Sequence, residues 1–428
     1  MRTWLFVLFA GLAISAPSAI NQVIYVDANA PAGGNGSGAA PYNTIADAVA
    51  QARTAGGLPT VKVKPGLYQL ASPITIDFPL NLTGSNVMEI DSNLLPTGVV
   101  VAGTETQIVG LAALGASPLL TVGRTDGVVI YNVSIQNLSF VAGPGGGDDI
   151  AVNQVQNFTV SQNYLTGPPT VTTTNQGIGS VASSGSVLGN YITGVGCGAC
   201  IRAGYPGSPA LVDFIDNRTV NNRNAGALFS GATYGITEPG DQLYVLVAGN
   251  DISENTTSAS GKGADAYGLR FFVIRKDLPD TQSTGNVTAL VLGNRIVGND
   301  IGFTADAGFP YRQAAIPPST TLVCDTRVYS GSLNLTLLGN TLSDSLLDNA
   351  VISFTRVTAT LKPSQLPSWQ YLHNATYIIN DPENSLAGYL KDDPEADPFV
   401  GGLCAADTTH ELLNNTLIFN GVIVQPTP

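Results

Sequence analysis

Charge is scarce in this 428-residue chain: Asp, Glu, Lys and Arg supply 11% of it, less than half the roughly 25% usual in soluble domains. Basic residues are scarcest, 18 against 31 acidic, for a formal charge of −13. With no basic run anywhere, an electrostatic nucleic-acid binder is excluded. The chain has only two His, His373 and His410, so a metal site or general base built on imidazole has little to draw on. Past the first residues, no apolar run reaches the length of a membrane-spanning helix. What fills the chain is 44% hydrophobic residues and 48 Gly. That is ample for a large core, and it excludes wholesale disorder.

Arg2 precedes a short apolar run from Leu5 to Ile14, and small residues follow from Ser15 to Ala19. This is the layout of a signal peptide over residues 1–19, with the cut after Ala16, Ser18 or Ala19. The expectation is a secreted or periplasmic protein. In an oxidising compartment the four Cys suggest two disulfides among Cys197, Cys200, Cys324 and Cys404, and three connectivities are open. Cys197 and Cys200 close locally in one of them, leaving Cys324 with Cys404. Eleven Asn-x-Ser/Thr sequons run from Asn35 to Asn414. In an Asn- and Thr-rich chain they also arise from composition.

A phrase recurs along the chain. Val187-Leu188-Gly189-Asn190-Tyr191-Ile192 returns as Val247-Ala248-Gly249-Asn250-Asp251-Ile252, Val291-Leu292-Gly293-Asn294-Arg295-Ile296 and Leu337-Leu338-Gly339-Asn340-Thr341-Leu342. Looser copies surround Asn163, Asn217 and Asn415. A second phrase opens on Gly198, Gly226 and Gly268. Each unit holds short alternating apolar runs, which read as strands, with Asn and Gly at the corners. Such a unit cannot bury its own face, so the units must stack along an axis. The expected architecture is an all-β parallel β-helix over residues 20–428, with the recurring Asn forming a ladder and loop insertions near 253–286 and 359–411.

The opening sharpens this. Ile24-Tyr25-Val26-Asp27 leads into a Gly-rich turn (33–38), then Pro41-Tyr42-Asn43-Thr44-Ile45, a helical stretch Ala46 to Ala55, and Val61-Lys62-Val63-Lys64-Pro65-Gly66-Leu67-Tyr68. That order resembles the start of the pectin-lyase-like right-handed β-helix superfamily. The resemblance implies a single-stranded, right-handed solenoid whose short N-terminal helix caps the open end. It is specific for fold and weak for activity, because the superfamily holds lyases, hydrolases, epimerases and adhesins. Its uronan lyases neutralise a carboxylate with Ca²⁺ or Arg/Lys, which makes Ca²⁺ an open cofactor candidate. Neither the polygalacturonase pattern nor the Arg-containing pectate lyase motif occurs here.

Strand alternation still picks out candidates. After each Gly, the second and fourth residues should point outward, as Cys200/Arg202, Leu228/Ser230 and Arg270/Phe272 do in this register. Extending it from Gly302 adds Asp306. Arg202, Arg270 and Asp306 are therefore the catalytic candidates, Arg being suited to a sugar carboxylate. Phe272, Lys276 and Asp149 are the substrate-binding candidates. Asp148 and Asp149 follow Gly145-Gly146-Gly147 and read as a carboxylate pair, a Ca²⁺ loop or a polar turn; adjacent strand residues face opposite ways, so the pair alone makes no site. The functional expectation is an exported, monomeric protein that binds an extracellular polysaccharide or cell-surface glycan; whether it also cleaves the chain is left open, and if it is an enzyme it is a polysaccharide lyase or glycoside hydrolase. The alternative is a non-catalytic adhesive or structural module.

Overall fold

The computed structural model describes residues 22–99, 105–124, 126–168, 175–204, 209–231, 242–257, 266–278, 281–306, 328–346, 348–352, 357–361, 372–380, 408–413 and 416–424. Residues 1–19, Cys324, Cys404 and Asn414-Asn415 lie outside them.

Each turn of the chain lays one strand in each of three parallel sheets, a 15-stranded first sheet and two of 9 strands. One turn runs through Ser184–Leu188, Tyr191–Thr193 and Cys197–Arg202 before Ala210–Ile215 re-enters the first sheet. The architecture is the expected parallel β-helix. Strict period two puts one column of every strand inside. Val160, Val187, Phe214, Val247, Val291 and Leu337 are successive register partners, and all are buried. Phe229 and Phe271 stack in the third sheet with ring centroids 5.3 Å apart. Val245, Ile252 and Leu269 join the same core.

The corner between the first and second sheets is built by the repeated phrase. Gly189, Gly249, Gly293 and Gly339 take positive φ of 58–65°, which glycine adopts without a Cβ penalty. The left-handed residue is therefore the one before the Asn. That leaves the Asn free to bond along the axis. Each Asn backbone N–H and side-chain Nδ2 donates to the Oδ1 of the next Asn, running from Asn163 through Asn190, Asn217, Asn250 and Asn294 to Asn340. A second ladder lies one corner further on: Asn222 donates to Asn255, and Asn255 to Asn299. Its members stand five positions after Asn217, Asn250 and Asn294, a repeat as legible as the first.

The open end is closed by the helix Ile45–Ala55, whose Thr44 Oγ1 accepts from the Asp47 N–H at 3.1 Å. Ile45, Ala48, Val49 and Ala52 sit against the first coils' core. The insertion near 253–286 contains an antiparallel hairpin, Ile274–Leu278 with Thr281–Thr284. The second insertion is partly absorbed by the coil: Leu372–Asn380, which carries His373, pairs in parallel with Val328–Leu338. No helix among the described residues is long and apolar enough to cross a membrane.

Candidate functional site

The expected row of outward residues exists in the third sheet. Arg202, Ser230, Phe272 and Asp306 are successive register partners, and Arg270 lies on the neighbouring row with Cys200, Leu228 and Thr304. At about 4.8 Å per strand the run from Arg202 to Asp306 spans roughly 14 Å. The side chains of Phe272, Lys276 and Asp306 lie outside what is described. Lys276 leaves the row altogether, because its backbone belongs to the hairpin.

The row is not the bare solvent-facing strip that alternation alone implies. Arg202 is 5% exposed, and Cys200, Leu228 and Ser230 are buried as well. Cys197, Cys200, Ala225, Leu228, Tyr267 and Ile301 form a second, smaller apolar cluster on this outer face. Strand alternation decides which way a side chain points, but not what covers it. Arg270 is half-buried, its guanidinium 4.5 Å from the Tyr267 ring centroid.

Cys197 and Cys200 are joined in a disulfide, the local closure among those open from the sequence. It ties a loop of only four residues, so its effect on the unfolded chain is small. Replacing both by Ser is expected to cost about 2 kcal/mol in thermal unfolding.

Polar chemistry concentrates one coil earlier. Asp148 Oδ1 accepts the Gln176 backbone N–H at 2.6 Å. The Oε1 of Gln176 and the Oδ2 of Asp148 lie over the bare Cα of Gly179, where an added Cβ would meet them at 2.7 and 3.4 Å. Gln176 Oε1 is buried with no hydrogen-bond partner among the described residues. Burial pushes the Asp148 carboxyl up to about 6, although the Gln176 N–H and the charge of Arg202 both pull it down. A carboxyl poised near neutrality, within electrostatic reach of a guanidinium, is suited to proton transfer.

Asp149, expected at the substrate-facing surface, is instead sealed from solvent. It stands one position before Ile150, is 0% exposed, and neither carboxylate oxygen has a partner among the described residues. Burial, then the neighbouring charge of Asp148, raises its pKa well above the usual range. The pair therefore divides, with Asp148 half-buried at the outer face and Asp149 sealed in. Nor do the described residues fit Ca²⁺. Asp148 and Gln176 offer two oxygens where the ion takes about six to eight, and no group of three or more His, Cys, Asp or Glu forms among the described residues. Gln176 and Gly179 carried no sequence signal, because only the coil register brings them beside Asp148.

No protein-family model matches the sequence, and no curated protein matches it either. Among solved structures the chain is similar to the A-module of a mannuronan C-5 epimerase from Azotobacter vinelandii, at 13% identity over 78% of this chain and 81% of that one, TM-score 0.39. It is also similar to a rhamnogalacturonan lyase, at 10% identity, 86% and 84% coverage and TM-score 0.37. A pectate lyase is similar at 11% identity, 90% and 82% coverage and TM-score 0.26. No residue's role is taken from these likenesses.

Proposed function

We propose that the protein is exported, binds an extracellular polysaccharide along the outer face of the third sheet, and cleaves it beside Asp148. The observation that carries this reading is the Asp148 carboxyl, raised to about 6 by burial, with Gln176 Oε1 beside it over Gly179 and Arg202 close enough to act on its charge. Asp148 acts as the general acid. It delivers its proton to the glycosidic oxygen as the bond to the leaving sugar breaks. The cleaved carbon either takes the oxygen of a water, whose proton returns to Asp148, or forms a double bond to the neighbouring carbon, whose proton leaves to solvent. Arg270, half-buried on the adjacent row, is the guanidinium this reading assigns to a uronate carboxylate, and the strands of Phe272 and Asp306 extend the track.

Because the proton donor must be protonated, turnover is expected to fall as pH rises through about 6. Asp148→Asn should lower it by about a hundredfold or more, with glycan binding retained. Gly179→Ala should also impair it, since the new methyl would press against Gln176 Oε1. Mass-spectrometric product analysis across pectate, alginate, glycosaminoglycan and neutral glycans is the test. An unsaturated product marks a lyase, and saturated reducing ends mark a hydrolase. Absence of product from every glycan, or full activity in Asp148→Asn, would overturn the reading.

The second reading is a non-catalytic binding module. It is favoured by the burial of Arg202 and the apolar cluster on the same face, and it expects glycan binding with no product at any pH.

A further inference from the structure

The outer face of the first sheet carries a different surface. Across four adjacent strands, one row reads Leu211, Tyr244, Thr288, Asn334 and the next Asp213, Leu246, Leu290, Thr336. These side chains line a shallow groove of about 340 Å³. Its apolar members stay in solvent: Leu211 is 56% exposed, Tyr244 45% and Leu290 40%. A regular coil buries such residues on its inner columns, so their presence outside calls for an occupant.

Three observations select one. Four strands wide and three residues long, this face amounts to on the order of 200 Å², well under the roughly 800 Å² per partner that a stable protein interface needs. Its one charged lining side chain is Asp213, in a chain of net charge −13, which disfavours a polyanion. An exposed aromatic ring and leucines beside hydroxyl, amide and carboxylate groups match a sugar ring, with its apolar C–H face and polar hydroxyl edge. We infer that this groove is a second glycan-binding site, selective for a neutral hexose chain, with Tyr244 as its stacking platform and Asp213, Asn334 and Thr336 bonding sugar hydroxyls. The inference goes beyond the proposed function, since it concerns another sheet and other residues.

Titration calorimetry with cellohexaose, maltohexaose and laminarihexaose tests it, with hexagalacturonate as the anionic control. The wild-type chain is expected to bind at least one neutral hexaose in this groove, and any hexagalacturonate binding is expected to be untouched by Tyr244→Ala. Tyr244→Ala should weaken that binding at least tenfold, and Leu290→Ser several-fold. Both positions are exposed, and matched thermal unfolding curves would establish that the variants fold. A neutral hexaose whose binding Tyr244→Ala leaves unchanged sits elsewhere than this groove, which would overturn this inference and leave the proposed function standing. It is equally overturned if none of the three neutral hexaoses binds, if Tyr244→Ala weakens hexagalacturonate more than the neutral hexaose, or if sedimentation shows a dimer that Tyr244→Ala abolishes.

Discussion

Asn250→Asp is expected to destabilise the protein by about 3 kcal/mol at neutral pH, the scale of a broken buried polar network. Asn250 Oδ1 accepts from the Asn217 N–H and Nδ2, while its own Nδ2 donates to Phe214 O at 2.9 Å and to Asn294 Oδ1 at 2.8 Å. A carboxylate keeps the two accepted bonds and loses both donated ones. It also places negative charge against two oxygens in a site that is 1% exposed. The loss should shrink at low pH, because a protonated Asp can donate one of the two bonds again. Asn340 ends the described ladder and is half-exposed, so Asn340→Asp should cost clearly less. Urea unfolding of both variants at pH 4.5 and 8 checks the order. Equal stability of Asn250→Asp and wild type at pH 8 would mean that the ladder does not carry load.

Asp149→Ala is expected to do the opposite and stabilise the chain, by about 1–3 kcal/mol at pH 8, the usual cost of a buried polar group without partners. The sign follows from the raised pKa. The folded state holds this proton to higher pH than the unfolded chain does, so stability falls as pH rises above the ordinary carboxylate range and on through the folded value. Asp148 adds a slope of the same sign that ends near pH 6. In Asp149→Ala the Asp149 part vanishes, and the gain at pH 4.5 should be much smaller than at pH 8. An Asp149→Ala variant no more stable than wild type at pH 8 would show that the carboxyl has a compensating partner in solution.

The coil was legible because it is written locally. The spacing of Asn190, Asn217, Asn250, Asn294 and Asn340, each followed by a short alternating run, demands a stack in which amide meets amide. Thr44 followed by an Ala-rich stretch demands a capped helix at the open end, and the structure moves its start by one residue to Ile45. The row through Arg202, Phe272 and Asp306 was equally readable, since register is a matter of counting once the corners are known. The second ladder of Asn222, Asn255 and Asn299 carries the same signal at a constant offset of five residues from the first.

The sequence by itself determined the stacked coil, the corner chemistry and which residues share a row, because each follows from period two and from the left-handed corner glycine within a few positions. Only the tertiary structure decided burial and chemistry. Whether an outward residue meets water depends on what packs over its face. For that reason Arg202 is buried while Tyr244, on another sheet with the same alternation, stands in solvent. The division of Asp148 from Asp149 is of the same kind. The two carboxyls are neighbours in the chain, yet one is held by Gln176 from the next coil at the outer face and the other is sealed in, and only contacts 28 residues apart make that difference.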